Sequence, residues 1–297
     1  MSVLSIQGIT KSYGKIKALK GLSFDVPEGS VFGLLGPNGS GKTTLLSIIL
    51  DVLKADSGQF SWFGQPGSPA IRKNIGTLLE TPNFYHYLSA VNNLKITSEI
   101  SGRGNLAAID EVLKTVSLYE RRNSPFSTYS LGMKQRLAIA AALLGKPKIL
   151  VLDEPTNGLD PVGITEIRSL IGLLQQQGFT IIIASHLLDE IEKICSHVAI
   201  LKQGTLVAVG TVQEVLADVE TIEVGYHSPE LLLPVLQNIP NFERIDQEGK
   251  LFNIHFAKGF ADAEKVNAYC FSQGITLNHL VLKKKRLEQR FFELTGN

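Results

Sequence analysis

The chain has 297 residues, 29 Lys and Arg against 28 Asp and Glu for a net charge of +1, and 44% hydrophobic residues. That length suits about two domains with packed cores, and the balanced charge provides no overall field toward nucleic acid or an acidic partner. The longest apolar runs, Ile149 to Leu152 and Thr180 to Ala184, are strand-sized and far below the roughly 18 residues of a membrane span. Met1 to Thr10 lacks a basic region followed by an apolar core and a small-residue cleavage site, so the expectation is a cytosolic chain without a secretory signal. Cys195 and Cys270 are far apart, with no CxxC and no neighbouring ligands, and read as small buried hydrophobes, not a disulfide or metal pair.

In chain order, Val3 to Ile9 and Leu22 to Val26 read as short strands flanking the turn Tyr13-Gly14-Lys15, paired antiparallel beside a main sheet. Val31 to Leu35 is a buried strand, Gly36 to Thr44 a glycine-rich loop, and Leu45 to Leu50 the opening of a helix. From Leu88 to Leu144 the pattern is helical, which predicts a helical subdomain inserted between two strands of the sheet. Ile149 to Leu152 and Thr180 to Ser185 read as strands buried on both faces. Between them Asp160 and Pro161 start a helix, Ile164, Ile167, Ile171 and Leu174 form its apolar stripe, and Gly178 closes it.

This alternation predicts an α/β fold with a mostly parallel sheet covered by helices. A boundary is expected near Ala217 to Val219, dividing the chain into 1–216 and 217–297. The second part reads as strand 221–226, helix 229–238, strands 242–246 and 251–256, helix 261–273, strand 276–283 and helix 286–295. Their order resembles a small α+β module of the split βαβ type.

Gly36-Pro37-Asn38-Gly39-Ser40-Gly41-Lys42-Thr43-Thr44 fits GxxxxGK[ST], the Walker A pattern, with the required strand before it and helix after it. Glycines let the backbone wrap phosphate oxygens, the helix N-terminus adds positive potential, and Lys42 reaches the β and γ phosphates of ATP. Thr43 is expected to ligate Mg²⁺. Ile149 to Leu152 ends in Asp153 and Glu154, which brings two carboxylates to the carboxyl edge of the sheet beside that loop. Asp153 is expected in the Mg²⁺ shell, and Glu154 as the general base or the group that orients the attacking water. His186 follows the strand Thr180 to Ser185 and emerges at the same edge, within reach of the γ-phosphate or the water.

Tyr129-Ser130-Leu131-Gly132-Met133-Lys134-Gln135-Arg136-Leu137 resembles the signature motif of the ABC ATPases. The LSGGQ pattern matches at Ser130 and Gly132, with Leu131 and Met133 in place of a glycine and a glutamine. Ser130 caps a helix whose first amides can bind a γ-phosphate, and Gly132 permits close approach. The resemblance covers about residues 3 to 215, including the D-loop Asn157-Gly158-Leu159-Asp160 and the switch His186. It implies a RecA-like P-loop NTPase core with a small antiparallel β subdomain. It also implies a head-to-tail homodimer in which each ATP lies between one copy's Walker A and the other's Ser130, Gly132 and Asp160. Tyr13 matches the aromatic that stacks on adenine.

The family usually has glutamine where this chain has Glu80. An ionised glutamate only accepts hydrogen bonds and adds negative charge near Mg²⁺ and Glu154, so Glu80 is expected both at the metal and in the coupling chemistry. With Asn83-Phe84-Tyr85, Met133-Lys134 and the extra C-terminal module, it resembles the ATPases of bacitracin-type and lantibiotic-immunity exporters. That resemblance implies an ATP-hydrolysing subunit, peripheral on the inner face of the cell membrane, that energises export of drugs or antimicrobial peptides by separate permease subunits. Phe84, Tyr85, Tyr87 and Leu88 either line a groove for a permease helix or pack inward. The run Lys283 to Arg286 reads as a solvated surface, and nucleic acid is not an expected partner. The competing reading is a soluble ABC ATPase acting on nucleic acid or ribosomes. Against it, the chain has neither tandem ATPase domains nor a long coiled coil.

Overall fold

β1 (Ser2–Tyr13) and β2 (Ile16–Pro27) are 12-residue strands paired antiparallel, from Ser2 opposite Pro27 to Tyr13 opposite Ile16. The structure, a computed structural model, describes residues 1–79, 83–216, 219–257, 259–283 and 287–295. Both strands outrun the expected 3–9 and 22–26. β2 is a sheet edge, and its Ile16, Lys17 and Lys20 are exposed, so its first half leaves no apolar run to read.

The chain continues through β3 (Val31–Leu35), α1 (Lys42–Ile49), β4 (Ser57–Trp62), β5 (Gln65–Pro66), α2 (Pro69–Arg72) and β6 (Ile75–Leu78). β4 and β5 extend the hairpin into the sheet β2-β1-β4-β5, although Ser57, Gly58 and Gln59 are exposed and show no alternation. The helical segment comprises α3 (Ala90–Ser101), α4 (Leu106–Thr115) and α5 (Leu131–Leu143), followed by β7 (Ile149–Asp153), α6 (Pro161–Gln176), β8 (Thr180–Ser185), α7 (Leu188–Ile194), β9 (His197–Lys202) and β10 (Thr205–Thr211). The main sheet has the order β10-β9-β3-β8-β7-β6, in which β9, β3, β8, β7 and β6 run parallel to one another. β3, β7 and β8 are buried along their whole length, as helices on both faces of a parallel sheet require. Asp160 starts α6 as expected: its Oδ1 accepts from Gly163 N at 2.8 Å, and Pro161 sits in the first turn.

α1 lies in one continuous core. Its Leu45, Leu46, Ile48 and Ile49 pack with Leu4 and Ile6 of the small sheet and with Phe32, Leu34 and Val151 of the main one. Trp62, 1% exposed, donates its indole N–H to Ile49 O at 2.8 Å, satisfying a carbonyl that the helix end leaves without a partner. On the opposite face α5 lies directly against β6, where a Cβ on Gly76 would stand 2.0 Å from Ala142 O.

Two compact units divide between Val209 and Gly210. Of the expected boundary, residues 217 and 218 lie outside the described residues. The second unit contains α8 (Val212–Leu216), β11 (Val219–Gly225), α9 (Pro229–Leu236), β12 (Phe242–Glu248), β13 (Leu251–Ala257), α10 (Ala263–Ser272), β14 (His279–Lys283) and α11 (Leu287–Thr295). Its sheet order β12-β13-β11-β14, antiparallel throughout, is the split βαβ arrangement. Ile222, Val224, Phe252, Ile254 and Phe256 alternate onto one face and form a core with Leu232 of α9 and Val266 of α10. The other face is polar: Glu223 accepts from His279 and Lys283, and His255 bridges Thr221 and Asp246. Residues 284–286 of the basic run lie outside the described residues. Cys195 and Cys270 are buried free thiols, and burial raises both above the usual thiol range.

Gly76→Ala forces α5 away from β6 and is expected to destabilise the first unit by about 1–3 kcal/mol, read as a lower urea midpoint by Trp62 fluorescence. An unchanged midpoint contradicts the close α5–β6 contact.

Candidate nucleotide site

β3 delivers the loop 36–44 to the carboxyl edge of the main sheet. A Cβ on Gly36 would stand 2.3 Å from Ser40 Oγ and 2.5 Å from Leu201 O, and Gly41, at φ +105°, would meet Ala18 O at 2.7 Å. Glycine is therefore demanded by space at both positions and by backbone conformation at Gly41. Gly41 is the N-cap of α1, with no side chain over the helix's first amides, so those N–H groups remain open to an anion. The Lys42 ammonium folds back onto Gly36 O at 2.7 Å and Pro37 O at 3.3 Å. Burial pulls it below the usual lysine range, while the carboxylates of Glu154 and then Asp153 oppose that shift.

Asp153 closes β7 and is 5% exposed. Its Oδ2 accepts from Thr43 Oγ1 at 3.3 Å, which places two hard oxygen donors beside the loop. No group of three His, Cys, Asp or Glu able to cage a metal occurs among the described residues. An ion held by Thr43 and Asp153 would complete its shell with water and phosphate oxygens, and that donor set fits Mg²⁺.

Glu154, at φ +49°, occupies a left-handed conformation that costs a non-glycine residue on the order of 1 kcal/mol and concentrates at functional sites. Its N–H donates to Ala184 O at 2.9 Å, which anchors the bend to β8. The turn aims its carboxylate at the cleft and at His186, whose Nδ1 lies 2.9 Å from Glu154 Oε2. An ionised carboxylate only accepts, so the ring nitrogen is the donor.

A cleft of about 740 Å³ unites these groups: Tyr13, Asn38 through Thr44, Asp153 and Glu154 all line it. Tyr13 is half exposed and lines the same cleft as the acids. Ile16, Ala18 and Gln203 also line the cleft and were not expected. The only local signal for Ile16 is one apolar residue between Lys15 and Lys17; nothing in the sequence near Gln203 points to the site. Ser130 caps α5, its Oγ accepting from Met133 N at 3.3 Å. Ser130, Gly132 and Asp160 are not among the residues that line the cleft of their own chain, although Leu131 and Gln135 are. A Cβ on Gly132 would meet nothing nearer than 4.0 Å, so packing within the chain gives no reason for glycine there. Glu80 lies outside the described residues.

The model of the ABC transporter family matches residues 19–157. A bacitracin transport ATP-binding protein, BcrA, of Bacillus licheniformis is 44% identical over 209 residues, covering 69% of this chain and 68% of that protein. The BcrA protein of Enterococcus faecalis is 39% identical over 302 residues, covering 99% and 96%. Among solved structures, a component of the cbiONQ ABC transporter complex from Clostridium perfringens is 29% identical with a TM-score of 0.66, covering 80% of this chain and 96% of that one. With its phosphate loop, paired acids and capped helix on this fold, the chain belongs to the ABC transporter family, as an ATP-binding subunit of its ATPase class.

Proposed function

We propose that this chain hydrolyses MgATP between two copies of itself and thereby drives a separate membrane permease that exports drugs or antimicrobial peptides. The observation that carries the reading is the single cleft in which an exposed aromatic, the phosphate loop and the bent Glu154 meet. Adenine stacks on Tyr13, the amides of residues 39–44 receive the phosphates, and Lys42 exchanges its loop carbonyls for phosphate oxygens. Held by Thr43 and Asp153, Mg²⁺ would supply charge neutralisation at the phosphates. Glu154 orients the attacking water and takes its proton, while His186 fixes the carboxylate through the 2.9 Å contact. Ser130, Gly132 and Asp160 act on the partner copy's nucleotide: the positive N-terminus of α5 and the space beside Gly132 suit a ligand that their own chain does not supply.

Transport is supported by the bacitracin transport relatives, its outward direction by the resemblance to bacitracin-type exporters, and separate membrane subunits by the likeness to a component of a multi-subunit ABC transporter complex; among the described residues no helix is long and apolar enough to cross a membrane. Tyr85, Tyr87 and Ile100 are exposed; Tyr85 and Ile100 line a hollow of about 330 Å³, Tyr87 stands beside Tyr85 with ring centroids 6.1 Å apart, and together they would receive a cytoplasmic permease segment at the membrane's inner face. Phe84 instead packs inward on Phe126, with ring centroids 5.3 Å apart. Asn93 holds this loop from beneath through Tyr85 N and Tyr85 O. Glu80 is proposed to relay nucleotide state to the permease, on the strength of the resemblance.

Glu154→Gln should lower steady-state ATP hydrolysis by at least about 100-fold while retaining ATP and accumulating dimer on gel filtration; unchanged turnover removes Glu154 from the base role. Tyr87→Ala should keep hydrolysis by the isolated subunit but lose the membrane protein that copurifies from native membranes. If the wild-type chain brings down ribosomes or nucleic acid and no membrane subunit, the soluble reading replaces this one. Glu80→Ala should change the ratio of ATP consumed to substrate moved, and an unaltered ratio refutes the relay.

A further inference from the structure

The turn between β9 and β10 touches both halves of the nucleotide cleft. It consists of Gln203 at φ +47° and Gly204 at φ +77°, a left-handed pair that reverses a hairpin in two residues. Gly204 N–H donates to Ser40 O of the phosphate loop at 3.0 Å, and Gly204 O accepts from Lys20 N–H of β2 at 2.8 Å. A Cβ on Gly204 would stand 2.4 Å from Ala18 O, the same carbonyl that a Cβ on Gly41 would meet at 2.7 Å. Three backbones therefore close on one another, with Leu19 Cδ2 packed beside them at Gly41: the phosphate loop, strand β2 and this turn.

The arrangement matters because the small sheet carries Tyr13 and Ile16 whereas the main sheet carries the loop. A nucleotide must satisfy both at once, so its affinity depends on their spacing. Backbone contacts made through glycine leave no rotamer to absorb a shift, and are stiffer in this respect than side-chain packing.

We propose that Gly204 is a positioning residue of the ATP site, pinning the base-stacking edge of the β1–β2 hairpin to the phosphate loop through Lys20 N–H and Ser40 O. It sets how much the base adds to the binding of the triphosphate. The inference rests on the proposed stacking of adenine at Tyr13.

The test compares equilibrium binding of MgATP with that of magnesium tripolyphosphate, which has phosphates and no base, to the full chain. The wild type should prefer ATP. Gly204→Ala should reduce that preference by about tenfold, the scale of one base–aromatic contact, while leaving tripolyphosphate affinity unchanged within about twofold. Lys20→Pro provides a second arm, because β2 is an edge strand where proline removes the outward N–H without breaking the ladder. It should reproduce the effect; because the Lys20 side chain itself lines the cleft, the comparison is Lys20→Ala, which loses the same ammonium but retains the N–H, and whose affinity for either ligand can fall while the wild-type ratio of ATP to tripolyphosphate is kept. Trp62 emission reports folding of each variant, and if Gly204→Ala does not fold, the Lys20→Pro ratio decides. Equal losses for both ligands, or an unchanged ratio in Lys20→Pro, overturn the proposal. A wild type that does not prefer ATP to tripolyphosphate overturns the stacking reading itself, and is seen before any variant is compared.

Discussion

The burial of α1 between two sheets is the constraint on which the nucleotide site depends. Apolar side chains around that helix meet the small sheet on one side and the parallel sheet on the other, so neither its axis nor its N-terminus can shift without opening a core. The last carbonyl of the helix, that of Ile49, is held from the far end by Trp62. With the helix fixed, its unpaired amides point to one place, and the loop before it must thread a space that admits only glycine at Gly36 and Gly41. Hydrophobic packing remote from the ligand thus sets the geometry of phosphate recognition.

Charge in the cleft is arranged as an unfinished account of attractions. Lys42 is desolvated, opposed by nearby carboxylates, and bonded to the carbonyls of its own loop. A carbonyl is a weaker partner for an ammonium than a phosphate oxygen, so the lysine is held in place without being fully satisfied. Glu154 is likewise held by the backbone bond to Ala184 and by His186, which offset the cost of its left-handed conformation. Both groups are oriented before a ligand arrives, and orientation is most of what phosphoryl transfer asks of a protein.

The second unit solves a different packing problem. Its four-stranded sheet buries one face under two helices and keeps the other polar, where two histidine–carboxylate pairs satisfy each other across strands. Such cross-strand pairs fix register on a face that has no core to do so.

The spacing of Gly36 to Thr44, the acids after an apolar strand, and the cap-and-proline start at Asp160 and Pro161 were all legible in the sequence, because each depends on local backbone geometry. The order of elements after residue 219 was legible for the same reason: alternation and turn residues are local signals. The lengths of β1 and β2 and the existence of β4 and β5 were not, since edge strands gain their conformation from a neighbour's hydrogen bonds and need no apolar run. Nor did the sequence reveal that Gly204 abuts Ala18 and Ser40, or that Gln203 enters the cleft, because those contacts join segments far apart in the chain. By itself, then, the sequence determined the groups available: a phosphate loop, a metal-suited oxygen pair and a second carboxylate beside them. Tertiary structure alone decided that Glu154 bends into the left-handed region toward His186 and that glycine backbones bring the two sheets together, because only packing between distant strands can hold such positions.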